Sequence, residues 1–173
     1  MTYSMIHKNN RLKTAGILGV LIFLFSLSIH AQQNNLTGKE ENPCAIFPKG
    51  QPAPAENFTG KVWLERLVSN DSTFHFVSGS VTFEAGARSN WHSHPAGQIL
   101  FVTNGICYYQ EKGKPVQVFH KGDVVTCQPG IDHWHGASPS GNMTHIALNP
   151  NTQNGITTWK QPVTDAEYNG PKR

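Results

Sequence analysis

Two His-x-His pairs, His92-Ser93-His94 and His133-Trp134-His135, constrain this chain more than any other feature. Residues two apart share a face on an extended strand, whereas a helix turns them about 200° apart. A pair that acts together therefore lies on a strand. Turn residues bound both: Pro95-Ala96-Gly97 follows the first and Pro129-Gly130 precedes the second. From Phe58 to Asn149, short runs rich in Val, Phe, Ile, Thr and Tyr alternate with Gly, Pro, Asn and Asp, which predicts eight or nine short strands. Only TDAEY, near the C-terminus, suggests a helical turn. The pattern predicts an all-β fold, a small antiparallel jelly-roll barrel, over residues 58–150. Residues 32–57, with Pro43, Pro48, Pro52 and Pro54, read as an extended, partly disordered lead-in. Residues 151–173 read as a wrapping C-terminal extension that carries Trp159.

The first 31 residues read as an address. Lys8, Arg11 and Lys13 precede an uncharged apolar run, Ala15–Ile29, and Ala31 supplies a small residue for cleavage. The run falls short of the roughly 20 residues a membrane-spanning helix needs and fits a secretory signal peptide. The expectation is an exported protein, periplasmic or secreted, with no stable membrane association after cleavage. The whole chain has 14 Lys and Arg against 11 Asp and Glu. Three of the cations lie in the leader, so the remainder is formally neutral. No basic footprint for nucleic acid remains. Of the three cysteines, Cys107 and Cys127 sit in apolar strand-like runs and are expected to pack as small hydrophobes. Cys44 could pair in an oxidising compartment.

Strand parity turns His92 and His94 one way, with Trp91 and Ser93 opposite. It does the same for His133 and His135 against Trp134, and it places His145, Ala147 and Asn149 in a third row. Gln98 opens the strand after the Pro95–Gly97 turn. Five imidazoles and one amide can thus converge inside the barrel. Trp91 and Trp134 are expected in wall packing, His75 and His120 in structural or exposed positions, and Arg88 as an anchor for a turn or a partner subunit.

At these residues the chain resembles the cupin superfamily. Its first motif reads Gly86, five residues, His92, Ser93, His94, three residues, Gln98, six residues, Gly105, with Gln98 where glutamate is usual. Its second reads Gly122, Asp123, Gly130 and His133, with Gln128 in place of the usual proline. The segments SVTFE, WHSHPAGQ, HWHGA and MTHIA are similar to the small single-domain cupins that include the bacterial manganese hydroxynitrile lyases, and to cupins associated with carboxymuconolactone decarboxylases. That resemblance implies metal ligation by His92, His94, Gln98 and His133, with His145 as proton-transfer group and His135 lining the same pocket. Imidazoles plus an amide oxygen form a neutral set suited to Mn²⁺, Fe²⁺, Co²⁺, Ni²⁺ or Zn²⁺, and the resemblance favours manganese. The implied activity is a lyase reaction on a small organic molecule, with isomerase or decarboxylase chemistry using the same parts. A quercetinase-like dioxygenase and a non-enzymatic ligand-binding or sensor cupin are the alternatives. A homodimer or higher homo-oligomer is expected, with FTGKVWLERLV suited to exchange between subunits.

Overall fold

A computed structural model describes residues 45–173. The leader expected over residues 1–31 and Cys44 lie outside the described residues. In chain order the strands are β1 (Gln51–Pro52), β2 (Phe58–Thr59), β3 (Val62–Val68), β4 (Val77–Phe83), β5 (Arg88–Ser89), β6 (His92–Ser93), β7 (Gln98–Asn104), β8 (Ile106–Glu111), β9 (Gln117–His120), β10 (Val124–Cys127), β11 (His133–Ala137), β12 (Met143–Asn149) and β13 (Thr158–Trp159). A short α-helix, α1 (Asp165–Tyr168), falls on the TDAEY segment.

The strands form two antiparallel sheets. The first runs β1-β3-β4-β12-β7-β10. The second centres on β11, which pairs with β5 and β6 along one edge and with β8 along the other. Strand β9 extends it beyond β8, β2 beyond β5 and β13 beyond β6. Hairpin neighbours such as β3–β4 and β8–β9 alternate with pairs distant in sequence, such as β4–β12 and β5–β11, which is the crossing pattern of a jelly roll. Expectation and structure agree on an all-β, antiparallel jelly roll. The lead-in contributes more than an extended approach, because Gln51 and Pro52 pair with Leu64 and Trp63. Strand β3, within the stretch expected to exchange between subunits, pairs with β4 of its own chain.

Alternation assigns the faces. Phe83, Val102, Cys107 and Met143 bury one end of the space between the sheets. Leu100, Tyr109, Val125, Cys127 and Ala147 form a second cluster there. Cys107 and Cys127 are buried free thiols, as expected of small hydrophobes, and burial pushes both up to about 12. Trp91 and Trp134 point the other way, yet they are 2% and 0% exposed. The C-terminal extension covers them: both pack with Val116, Val163 and Tyr168.

That cover is clasped by Arg88. Its guanidinium donates to Val163 O at 3.1 and 3.2 Å and to Asp165 Oδ1 at 2.6 Å, and it lies 4.8 Å over the Tyr168 ring. Tyr168 in turn donates its hydroxyl to Ala137 O at 2.7 Å. Thr164 and Glu167 close a reciprocal capping box on α1. Arg88→Ala is expected to cost about 3 kcal/mol, since it orphans a buried carbonyl and loosens the aromatic cover. Urea unfolding should show this together with faster proteolysis after residue 160. A loss below about 0.5 kcal/mol would mean the tail is held by its apolar contacts alone.

Candidate metal centre

His92 lies in β6 and His133 in β11, and the two are partners in the ladder. His135 follows two residues on in β11. His145 comes from β12 in the opposite sheet, where its neighbours are Val81 and Val102. His94 and Gln98 flank a tight turn. Gly97 closes it at φ +81°, and its N–H donates to His94 O at 3.1 Å. A Cβ there would stand 2.7 Å from Cys127 O, so a side chain at this position would push β7 off β10. The turn therefore needs its glycine to bring Gln98 beneath His94.

The imidazoles do converge. Ring centroids are 4.4 Å apart for His92–His133, 5.1 Å for His92–His94 and 5.5 Å for His94–His133. His135 joins from the other side, 5.1 Å from His92 and 4.8 Å from His145. One nitrogen each from His92, His133 and His135 falls within a common span of 4.8 Å, a spacing that could hold a metal ion. The family resemblance had set His135 in the pocket wall, and its ring lies 5.1 Å from that of His92 and 6.1 Å from that of His133.

Hydrogen bonding separates the two groups of rings. Nδ1–H of His92 donates to Asn90 O at 2.8 Å, that of His94 to Ile156 O at 2.6 Å, and that of His133 to Ile131 O at 2.9 Å. A carbonyl on Nδ1 selects the tautomer whose Nε2 carries a free lone pair. Nε2 of His94 and of His133 is buried with no protein partner. His135 and His145 are instead engaged with each other, His145 Nε2 to His135 Nδ1 at 3.2 Å, while His145 Nδ1 is buried and unpartnered. One ring of this pair donates and the other accepts. Orphaned, inward imidazole nitrogens beside an amide suit a borderline divalent cation, so the residues present fit a metal.

Burial holds every ring neutral. It places His92 and His135 well below the ordinary imidazole range, with repulsion from neighbouring rings adding to it. It brings His94 down to about 4 and His145 to about 3, and it also lowers His133. His75 and His120 are exposed, as expected.

A cavity of about 350 Å³ opens beside the rings. His92, His94, Gln98, His135 and His145 line it together with Val77, Val81, Ala147, Asn149, Phe58, Ile156 and Trp159, and Arg66 stands among them. Trp159 pairs with His92 through β13 and packs 4.9 Å from its ring. Sequence reasoning gave Trp159 and Ile156 no site role, and no local pattern near them carries one. Asn149 was legible only as the third member of the His145 row.

Comparison with known proteins places this arrangement in a class. The model of the cupin domain matches residues 79–147, and the chain belongs to the cupin family. It is 44% identical over 115 residues to the (R)-mandelonitrile lyase of Granulicella tundricola, covering 66% of this chain and 88% of that protein. A cupin-like protein from Thermotoga maritima of solved structure is also 44% identical, with a TM-score of 0.70, over 72% of this chain and 94% of that one. A DMSP lyase from Ruegeria pomeroyi, 18% identical with a TM-score of 0.52 over 64% of this chain and 55% of that one, shares the fold.

Proposed function

We propose that this protein is an exported, metal-dependent lyase that cleaves a small hydroxy compound of the cyanohydrin type. One observation carries the proposal: His92, His94 and His133 spend Nδ1–H on backbone carbonyls and turn Nε2 inward. These three imidazoles and Gln98 would hold a divalent cation, Mn²⁺ by family resemblance. When bound, such an ion polarises a substrate oxygen and lowers the pKa of its hydroxyl. Gln98 in place of a carboxylate leaves the full charge of the ion in the site.

The chain's own residues supply the rest. His145, neutral because it is buried, takes the hydroxyl proton. The C–C bond then breaks, its electron pair leaving with cyanide as the carbonyl forms. The proton returns from the imidazolium to the cyanide, giving an aldehyde and hydrogen cyanide. His135 steadies the cationic ring through the 3.2 Å bond. Val77, Val81, Ala147 and Trp159 keep water from the carbanionic leaving group and seat an apolar body. The resemblance to a mandelonitrile lyase supports an aromatic one.

His145→Ala is expected to lower kcat for mandelonitrile cleavage by about 10²–10⁴-fold while metal content stays at the wild-type level. Benzaldehyde absorbance and elemental analysis on one preparation read both. Wild-type kcat in the variant would remove His145 from the chemistry. Oxygen uptake with flavonols, in the absence of cyanohydrin cleavage, would favour a dioxygenase instead.

Assembly as a homodimer belongs to the same proposal. The cross-strand pair Phe101 and Val124 leaves an apolar patch 40% and 51% exposed on the outer face of the first sheet. A monomer in light scattering of the leaderless chain would overturn it.

A further inference from the structure

The lyase chemistry leaves one charged group of the cavity without a task. Arg66 carries the only permanent charge among the described residues that line it, and no carboxylate stands there beside it. The ion pairs among the described residues all involve other cations, so no acid holds its guanidinium. Two irregularities of the sheet bring it to the cavity. Arg66 pairs with Gly79 and Val68 with Ser78, which leaves Leu67 as the extra residue of a bulge. A bulge bends its strand and re-aims the side chains beside it. Gly79 has no side chain to cover its partner, and a Cβ there would stand 2.8 Å from Leu64 Cδ1. A glycine inside a strand marks a place of close approach. Gly79 pairs in turn with Ala147 on β12, so the cavity wall between Arg66 and β12 is low. His145 lies two residues back from Ala147, and Asn149, whose Oδ1 is buried and unpartnered, stands two residues on, opposite Gln98 and beside the metal ligands.

We infer that Arg66 binds an anionic group of the substrate, so the hydroxy compound this cavity takes carries a carboxylate on its apolar body. The inference rests on the reading of this cavity as the lyase site. A guanidinium presents a planar fork of N–H donors that a carboxylate accepts with both oxygens, and its single charge balances a single negative one. With no acid in the lining, its field inside the apolar walls draws anions in. Arg66 is exposed, so an incoming anion reaches it directly from solvent. Two strand spacings and a two-residue step put the Cα atoms of Arg66 and His145 about 12 Å apart. The long, flexible arginine stem meets a carboxylate anywhere within that gap, and a ring-sized body fits between the two side chains, over Gly79 and Ala147.

Binding decides this without turnover. The metal-loaded protein is titrated by calorimetry with 4-(hydroxymethyl)benzoate and with its methyl ester, which share the ring and the hydroxyl and differ in charge. The wild type should prefer the anion by about 10-fold, the lower end for hydrogen bonds to a charged group because Arg66 keeps part of its hydration. The preference should shrink as salt is added. Arg66→Gln and Arg66→Ala should each abolish it, Arg66→Glu should reverse it, and Arg66→Lys, which keeps the charge, should retain part of it. Equal wild-type affinities would overturn the inference. A preference that survives both neutral variants would overturn it too, by giving the carboxylate to the metal ion. A preference carried by Arg66 in a protein that cleaves no cyanohydrin would uphold Arg66 and refute the lyase reading alone. Cleavage of mandelonitrile by a wild type with no charge preference would do the opposite.

Discussion

His133→Ala is expected to strip the protein of its metal and lower kcat/KM by at least about 10³-fold, because it takes one of three imidazoles from a neutral donor set. His133 is fully buried, its Nδ1 is tied to Ile131 O, and its Nε2 has no protein partner. The other imidazole on β11 is that of His135, whose Nδ1 accepts from His145 Nε2–H in the relay proposed above, which leaves its Nε2 protonated and unable to ligate. The ring also lies 5.5 Å from that of Tyr109, so the variant should lose about 1–2 kcal/mol of packing and stay folded. Elemental analysis and circular dichroism on the same sample separate a lost metal from a lost fold. His75→Ala, at an exposed position, is the control.

The comparison with His135→Ala and His94→Ala sharpens this result. Proximity alone groups His92, His133 and His135. Hydrogen bonding groups His92, His94 and His133. The second grouping requires His135→Ala to keep stoichiometric metal and His94→Ala to lose it. The reverse pattern would transfer the third ligand to His135 and leave His94 as a wall residue.

The second large effect is on stability. In the metal-free protein, acidification from pH 7.5 to 5 is expected to lower Tm by about 10 °C. Burial depresses the folded-state pKa of His94 to about 4 and of His145 to about 3, against about 6.5 in the unfolded chain. Between those limits the unfolded state binds protons that the folded state refuses. The stability these neutral rings allow is complete above pH 7 and is lost as pH falls below 6.5. At pH 5 each of the two has cost about 2 kcal/mol, or about 4 kcal/mol together. At about 2–4 °C per kcal/mol for a chain of this size, that is the stated fall. His92, His133 and His135 shift in the same direction and steepen it. The carboxyls of Asp71, Glu84 and Glu167 are held below their ordinary range and so fall outside this window. Thermal melts of the chelated protein across the range read the effect, and His145→Gln should flatten the slope. A Tm constant within 2–3 °C would mean that these rings are not held neutral and buried.

Much of the fold lies in short-range pattern. The alternation in His92-Ser93-His94 and His133-Trp134-His135 is a property of the Cα–Cβ geometry of an extended chain, so it holds wherever those segments end up. It correctly sent the imidazoles inward and Trp91 and Trp134 outward. Gly97 and the motif spacing placed Gln98 beneath the histidines, because a turn of that length permits few paths. Other features depend on partners far away in the chain. Trp91 and Trp134 are buried against Val163 and Tyr168 of a tail that Arg88 clasps across more than seventy residues. His94 obtains its tautomer from Ile156 O across a separation of 62 residues. The joining of His135 to His145, the wall formed by Trp159 and the unpartnered oxygen of Asn149 arise where two sheets meet. A one-dimensional pattern records which way a side chain faces. What it faces is set when the sheets close, because distance across a barrel bears no fixed relation to distance along the chain.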